Sequence, residues 1–135
     1  MRTISLFAVA AGLAACAPMP PAEDLSGDAL RDRLADHKIV LTAPPDAGPM
    51  EPTDATISFF ADGNAEIAFV MPGGIAIGMD GRWVVRDRQV CVIQPGRAES
   101  GGQCATITIA GDRVISDETQ ADGSVVRTEG RILPL

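Results

Sequence analysis

Turn-forming residues recur at short intervals along most of this chain. Its 135 residues include 14 glycines and 10 prolines, and Asp-Gly pairs stand at positions 62–63, 80–81 and 122–123. Asp-Gly favours the tight turn of a β-hairpin, and such frequent breaks leave little room for the long helices of a bundle. The chain is therefore restricted to short segments joined by reversals of direction.

Between these turns, apolar and polar residues alternate with the period of a β-strand. Ala65, Ile67 and Phe69 share one face of such a segment, and Ile107 and Ile109 alternate with threonines in a later one. Seven or eight strands with a reversal every 8–14 residues predict an antiparallel meander. We expect a mainly β fold that is a half-barrel, a barrel or a curved sheet. A turn is predicted at Asp80-Gly81, and a final edge strand at Arg131–Leu133.

One helix is predicted ahead of the first strand. Ser26 suits a helix N-cap, and Leu30, Leu34 and His37 follow at helical spacing on one face. The pattern indicates a short amphipathic helix over residues 26–36 that packs one face against the sheet. Such a helix could plug an open side of the meander.

The N-terminus has the pattern of an export signal. Arg2 precedes an uncharged, mostly apolar run from Ile4 to Leu13, which is shorter than the roughly 20 residues that a membrane-spanning helix needs. The run ends in Leu13-Ala14-Ala15-Cys16, which resembles the lipobox of bacterial lipoprotein precursors. The resemblance implies that Cys16 becomes the first mature residue and receives fatty acyl chains such as palmitate. The alternative is an ordinary signal peptide that is cut elsewhere.

The lipoprotein resemblance sets the expected organisation and location. Residues 1–15 are then a signal peptide, residues 16–24 a lipidated cysteine with a proline-rich tether, and residues 25–135 a single β-rich domain. We expect a protein of the bacterial cell envelope that faces the periplasm and is held on the membrane through Cys16. Ala17 follows the cysteine in place of an aspartate, which favours the outer over the inner membrane.

The two remaining cysteines form an even pair. Cys91 and Cys104 flank a glycine- and proline-containing segment, as if two strands were joined by a loop. In an oxidising compartment this pattern predicts a structural disulfide. A metal site would need more ligands than the single histidine adds, and a redox pair would more often have Cys-x-x-Cys spacing.

Charge and composition argue against several functions. The formal net charge is −7, which makes nucleic acid an unfavourable partner. One His and no Tyr leave few groups for acid–base chemistry near neutral pH. We therefore expect no catalytic residues, no metal and no cofactor, and do not expect an enzyme.

The mature chain resembles a loose group of small secreted proteobacterial β-proteins, many of them uncharacterised. The shared features are a Leu-Ser-Gly helix start at residues 25–27, Phe-x-x-Asp-Gly at 59–63 and Gly-x-Trp at 81–83, followed by Cys91 and Cys104. The group is thought to be mainly β, and it implies no catalytic residues. Gly-x-Trp also occurs in lipocalins and in small barrel inhibitors of secreted metalloproteases.

Three functions are compatible with these observations. The first is a lipid-anchored, non-catalytic binding or structural module with an envelope protein as its partner. The second is a carrier of a small apolar ligand on the concave face of the sheet, where Phe59, Phe69 and Trp83 are the candidate ligand-facing residues. The third is a barrel-type inhibitor of a secreted protease.

Overall fold

The chain forms a closed barrel of eight antiparallel strands. The structure is a computed structural model that describes residues 18–43, 46 and 48–135. The mainly β meander with one short helix is confirmed, and the barrel is the shape it takes. The elements are α1 Gly27–Leu34, β1 His37–Thr42, β2 Asp54–Phe59, β3 Asn64–Val70, β4 Ala76–Arg86, β5 Gln89–Ile93, β6 Gln103–Ala110, β7 Arg113–Thr119 and β8 Val125–Pro134.

Two of the three predicted Asp-Gly turns are hairpin turns. The Asp62 carboxylate accepts a hydrogen bond from the backbone N–H of Asn64 at 2.9 Å. Asp122 accepts from the N–H of Ser124 at 2.9 Å and from its hydroxyl at 2.6 Å. The hydrogen bonds from Ser124 lower the pKa of Asp122. The aspartates fix these turns through local contacts, which is why the sequence predicts them well.

The prediction of a turn at Asp80-Gly81 is wrong. Both residues lie inside β4, which continues from Ala76 to Arg86. A Cβ atom at position 81 would lie 2.7 Å from the carbonyl oxygen of Ile93 on β5. Glycine is therefore required here because the neighbouring strand comes too close for a side chain.

The predicted edge strand at Arg131–Leu133 is instead the last part of β8, and it is not an edge. Ile132 pairs with Ile39 of β1, while the same strand pairs with β7 on its other side. Closure of the barrel pairs both sides of every strand and so removes the exposed edge that an open sheet would leave.

The helix lies at one end of the barrel, here called the closed end. This end also carries the β2–β3, β4–β5 and β6–β7 turns, and the other three hairpin connections and the β1–β2 loop lie at the opposite, open end. Helix α1 is shorter than predicted, and it buries Leu30 and Leu34. Ser26 occupies the N-cap position, although its side chain forms no capping hydrogen bond.

The described part of the predicted tether lies against the closed end. The backbone N–H of Glu23 donates to the carbonyl oxygen of Ile109 at 2.7 Å, and the Glu23 carboxylate forms an ion pair with Arg33. Asp24 forms an ion pair with Arg88. Cys16 and the predicted signal peptide lie outside the described residues. Within the described ranges, no helix has the length and apolar character of a membrane span.

The predicted disulfide between Cys91 and Cys104 is present. The two cysteines are directly opposite each other on β5 and β6, next to the long connection that joins these strands at the open end. Side chains alternate between the two faces of a strand. The disulfide therefore lies on the opposite face of β5 from Val90 and Val92, which point into the barrel.

Candidate functional site

The half of the barrel interior next to the helix is filled. The rings of Trp83 and Phe59 meet edge to face with their centroids 5.2 Å apart, and both side chains are buried. The Trp83 indole N–H donates to the carbonyl oxygen of Phe60 at 2.8 Å, and the Arg31 guanidinium lies 4.8 Å from the ring centroid. The only tryptophan therefore anchors the core where α1 closes the barrel.

The half of the interior next to the open end is hollow. An inner chamber of about 170 Å³ lies between the strands, and a mouth cavity of about 580 Å³ lies above it. The two share four lining residues and so adjoin; together they are called the barrel cavity. The shared residues are Leu41, Ala55, Phe69 and Glu118.

Apolar side chains form most of the inner chamber. The polar ones in its lining are Ser116, Gln103 and Glu118. Small-molecule sites commonly have roughly 300–1,000 Å³ of space, a mainly apolar lining and a few polar groups, and the mouth cavity falls in that range. The apolar lining residues are Leu41, Ala55, Ile57, Phe59, Ile67, Phe69, Val90, Val92, Ala105 and Ile107, and Cys104 of the disulfide also contributes to the lining.

Acidic side chains surround the mouth cavity. Among the described lining residues none is Lys, Arg or His, and none of the acids there forms an ion pair with a described residue. The barrel's carboxylate–arginine pairs lie elsewhere, for example Asp117 with Arg127. The four acidic residues that line the mouth cavity are here called the acidic rim; they are Asp46, Glu51, Asp54 and Glu118.

A third cavity of about 200 Å³ lies beside the inner chamber, next to the β5–β6 connection. It shares Ile67, Val92 and Gln103 with the chamber, and Arg97 also lines it. Its lining is more polar than that of the chamber, since Gln94 and Arg97 both contribute to it. Arg97 thus brings a cation to the lining of a cavity next to the barrel interior.

Large apolar side chains are exposed around the open end. Met50 in the β1–β2 loop is 83% exposed, Ile75 before β4 is 65% exposed, and Val125 at the start of β8 is 58% exposed. Their neighbours Ile77 and Val126 are also exposed. The open end therefore combines exposed apolar side chains, of which Val126 also lines the mouth cavity, with acidic ones around the mouth.

The three residues predicted to face a ligand are divided between the two halves of the barrel. Phe69 lines both parts of the barrel cavity, and Phe59 lies at the floor of the inner chamber. Trp83 lies in the filled half and lines neither part. Sequence analysis did not identify Glu118 as a candidate site residue. A strand continued to Thr119 puts Glu118 on the face of Val114 and Ser116 by simple alternation.

Among the described residues, no group of three or more His, Cys, Asp or Glu side chains is arranged to hold a metal ion. His37 lies at the closed end, with Nδ1 2.8 Å from the carbonyl oxygen of Ala35. Comparison with protein-family models, with curated proteins and with solved structures found no match.

Proposed function

We propose that this protein is a lipid-anchored, non-catalytic binding module of the bacterial cell envelope whose barrel takes up a small apolar ligand. Lipid on Cys16 holds it on the membrane, the outer in preference to the inner, and the domain faces the periplasm. The observation that carries the ligand-binding role is the barrel cavity, which is open at one end and lined mainly by apolar side chains.

The distribution of packing supports ligand binding over a purely structural role. A barrel of this size can fill its interior with side chains or leave space for one small ligand. Here Trp83, Phe59 and the helix leucines fill one half. In the other half, Leu41, Ala55 and Phe69 line both parts of the cavity and do not fill it. When an apolar ligand displaces water from the apolar surface of an open cavity, the change in free energy is favourable.

The envelope location is supported by the lipobox resemblance and by the disulfide. Disulfides persist in oxidising compartments such as the bacterial periplasm and are rare in the reducing cytosol. Cys91 and Cys104 are paired in the fold. Lipidation of Cys16 would consume the third cysteine of the chain, so that no free thiol remains.

The lining of the barrel cavity supports a role without catalysis. Ser116 is the one hydroxyl of the inner chamber, and no described His lines either part of the cavity. A serine nucleophile needs a neighbouring base within hydrogen-bond reach. The groups that remain suit binding better than bond cleavage.

Ligand uptake can be tested with the neutral fluorescent dye Nile red. Ala55 lines both parts of the cavity, so Ala55→Phe should fill it and weaken dye binding about tenfold, the loss of roughly 1.4 kcal/mol. The matched control is Ala68→Phe on the neighbouring strand β3, where the side chain is exposed and on the outer face. Circular dichroism establishes that both variants are folded. Saturable dye binding that is equal in all three proteins, or absent from the wild type, would exclude this function.

Lipidation can be tested in a bacterial host with labelled palmitate. The wild type should incorporate label and fractionate with membranes, because two or three acyl chains bind a bilayer almost irreversibly. Cys16→Ser should incorporate none, whereas Cys91→Ser combined with Cys104→Ser should still be labelled. Label that survives Cys16→Ser would contradict the proposed anchor.

A further inference from the structure

The barrel cavity has a strongly asymmetric distribution of charge. Its floor and walls are apolar, and its mouth carries four carboxylates without a described cation in the lining. Two of them, Asp54 and Glu118, are half-buried, and a half-buried carboxylate without a partner is unfavourable unless water or a ligand solvates it. A ligand that brings a positive charge to the mouth would replace that water and satisfy the acidic rim.

We propose that the natural ligand is a cationic amphiphile, an apolar body with a protonated amine at one end, and that the carboxylate of Glu118 binds the amine. This inference rests on the proposed ligand-binding function and specifies the chemical class of the ligand. The apolar body occupies the inner chamber, and the amine lies at the level where the chamber meets the mouth cavity.

Glu118 is the member of the acidic rim best placed for this role. It lines both parts of the cavity, whereas Asp46, Glu51 and Asp54 line the mouth alone. The Glu118 side chain is half-buried and has no hydrogen bond or ion pair to a described residue. A charge-assisted hydrogen bond from an ammonium group to such a carboxylate is stronger than one between neutral groups.

The competing arrangement uses Arg97. An anionic amphiphile could place its head in the neighbouring cavity at Arg97 and its tail in the inner chamber, since the two share three residues. The charge of the mouth disfavours this arrangement, because an anionic ligand would have to enter past four carboxylates. The two arrangements predict opposite preferences for the charge of the ligand.

Displacement of Nile red by three probes with the same alkyl chain separates these arrangements. The probes are dodecylamine, dodecanol and dodecanoate, each used below its aggregation concentration. Dodecylamine should bind about tenfold more tightly than dodecanol, which one charge-assisted hydrogen bond can supply, and dodecanoate should bind most weakly. The preference for the amine should fall as salt is added, because ions screen the partly exposed rim.

Glu118→Gln should abolish the preference for dodecylamine and leave dodecanol binding unchanged. The control is Asp117→Asn, which removes the same charge one residue away, on the outer face where Asp117 pairs with Arg127. That variant should keep the full preference. Equal binding of the amine and the alcohol, or an effect of Asp117→Asn as large as that of Glu118→Gln, would overturn the inference while leaving apolar ligand binding intact.

A preference for dodecanoate that is lost in Arg97→Gln would also overturn it, in favour of the Arg97 arrangement. Failure of all three probes to displace the dye, or a wild type that binds no dye, would instead contradict the proposed function itself. The two failures are therefore distinguishable.

Discussion

Two glycines let neighbouring strands approach more closely than any side chain allows. A Cβ atom at Gly81 would lie 2.7 Å from the Ile93 carbonyl oxygen, and one at Gly130 would lie 2.1 Å from that of Val40. Both contacts are with backbone, which cannot move aside as a flexible side chain can. Small barrels need such positions where strands bend sharply to close the sheet.

Gly81→Ala should therefore destabilise the protein, by about 1–3 kcal/mol if the strain resembles that of an overpacked core. Gly78→Ala is the matched control in the same strand, since the nearest atom to its added Cβ would be 4.0 Å away. Urea denaturation measures the free energy of unfolding of both variants. Equal values for the two would show that the close approach at position 81 carries no energetic cost.

The hairpin of β5 and β6 is cross-linked by its disulfide. Cys91 and Cys104 are 13 positions apart in sequence, and the bond closes the long β5–β6 connection at the open end. Cross-linking a loop of this size removes conformational freedom mainly from the unfolded chain. The disulfide therefore stabilises the side of the barrel that also forms the inner chamber.

The double variant Cys91→Ser, Cys104→Ser should lose about 3 kcal/mol of stability, the value that chain entropy gives for such a loop. Urea denaturation of the wild type with and without a reducing agent provides the comparison. Reduction should lower the stability of the wild type and leave the double variant unchanged. A variant as stable as the oxidised wild type would contradict this account.

The outer face of the β7–β8 hairpin carries an ion pair that should respond to acid. Arg127 donates to both carboxylate oxygens of Asp117, at 2.7 and 2.9 Å. The hydrogen bonds from Arg127 lower the pKa of Asp117 below its usual value. The pair therefore stabilises the folded state above the ordinary pKa of an aspartate, and this stabilisation is lost as the pH falls through the lowered value.

Between about pH 5 and pH 2 the wild type should consequently lose more stability than Arg127→Gln. The difference should be small, because Arg127 is largely exposed and solvent screens the pair. Urea midpoints across this pH range give the measurement. Parallel pH profiles for the two proteins would mean that the ion pair contributes nothing to stability.

At the scale of the molecule, the two ends of the barrel have different contacts. The closed end holds the helix, the tryptophan and the segment that leads back toward position 16. Arg33 donates to the carbonyl oxygen of Gly111 there and also pairs with Glu23 of that segment. The open end holds the barrel cavity and the exposed apolar side chains. An anchor at Cys16 would thus hold the closed end toward the membrane and turn the mouth away from it.

Fluorescence quenching on vesicles can test this orientation. A dye attached at Asp62→Cys in the closed-end β2–β3 turn should be quenched by headgroup-linked quenchers more strongly than one at Ser124→Cys at the open end. Strands of this length separate the two ends by about 20 Å. Equal quenching at both positions of the lipidated protein would show that the closed end of the barrel does not face the membrane.

The local features of this protein follow from its amino-acid sequence alone. The alternation of apolar residues predicts strands, aspartate-glycine pairs predict hairpin turns, and the spacing of two cysteines predicts a disulfide. Each of these features depends on residues that are close along the chain or on neighbouring strands. Leu30 and Leu34 likewise identify the buried face of the helix from their spacing alone.

The closure of the meander and the position of its empty interior depend instead on contacts between residues far apart in the chain. The role of Gly81 depends on the distance to another strand, and its Asp-Gly pair looks like a turn until that distance is known. The same is true of Glu118, since its position at the mouth requires both the full length of β7 and the closure of β1 onto β8. The volume of a cavity is set by all eight strands together, and no short stretch of sequence carries that information.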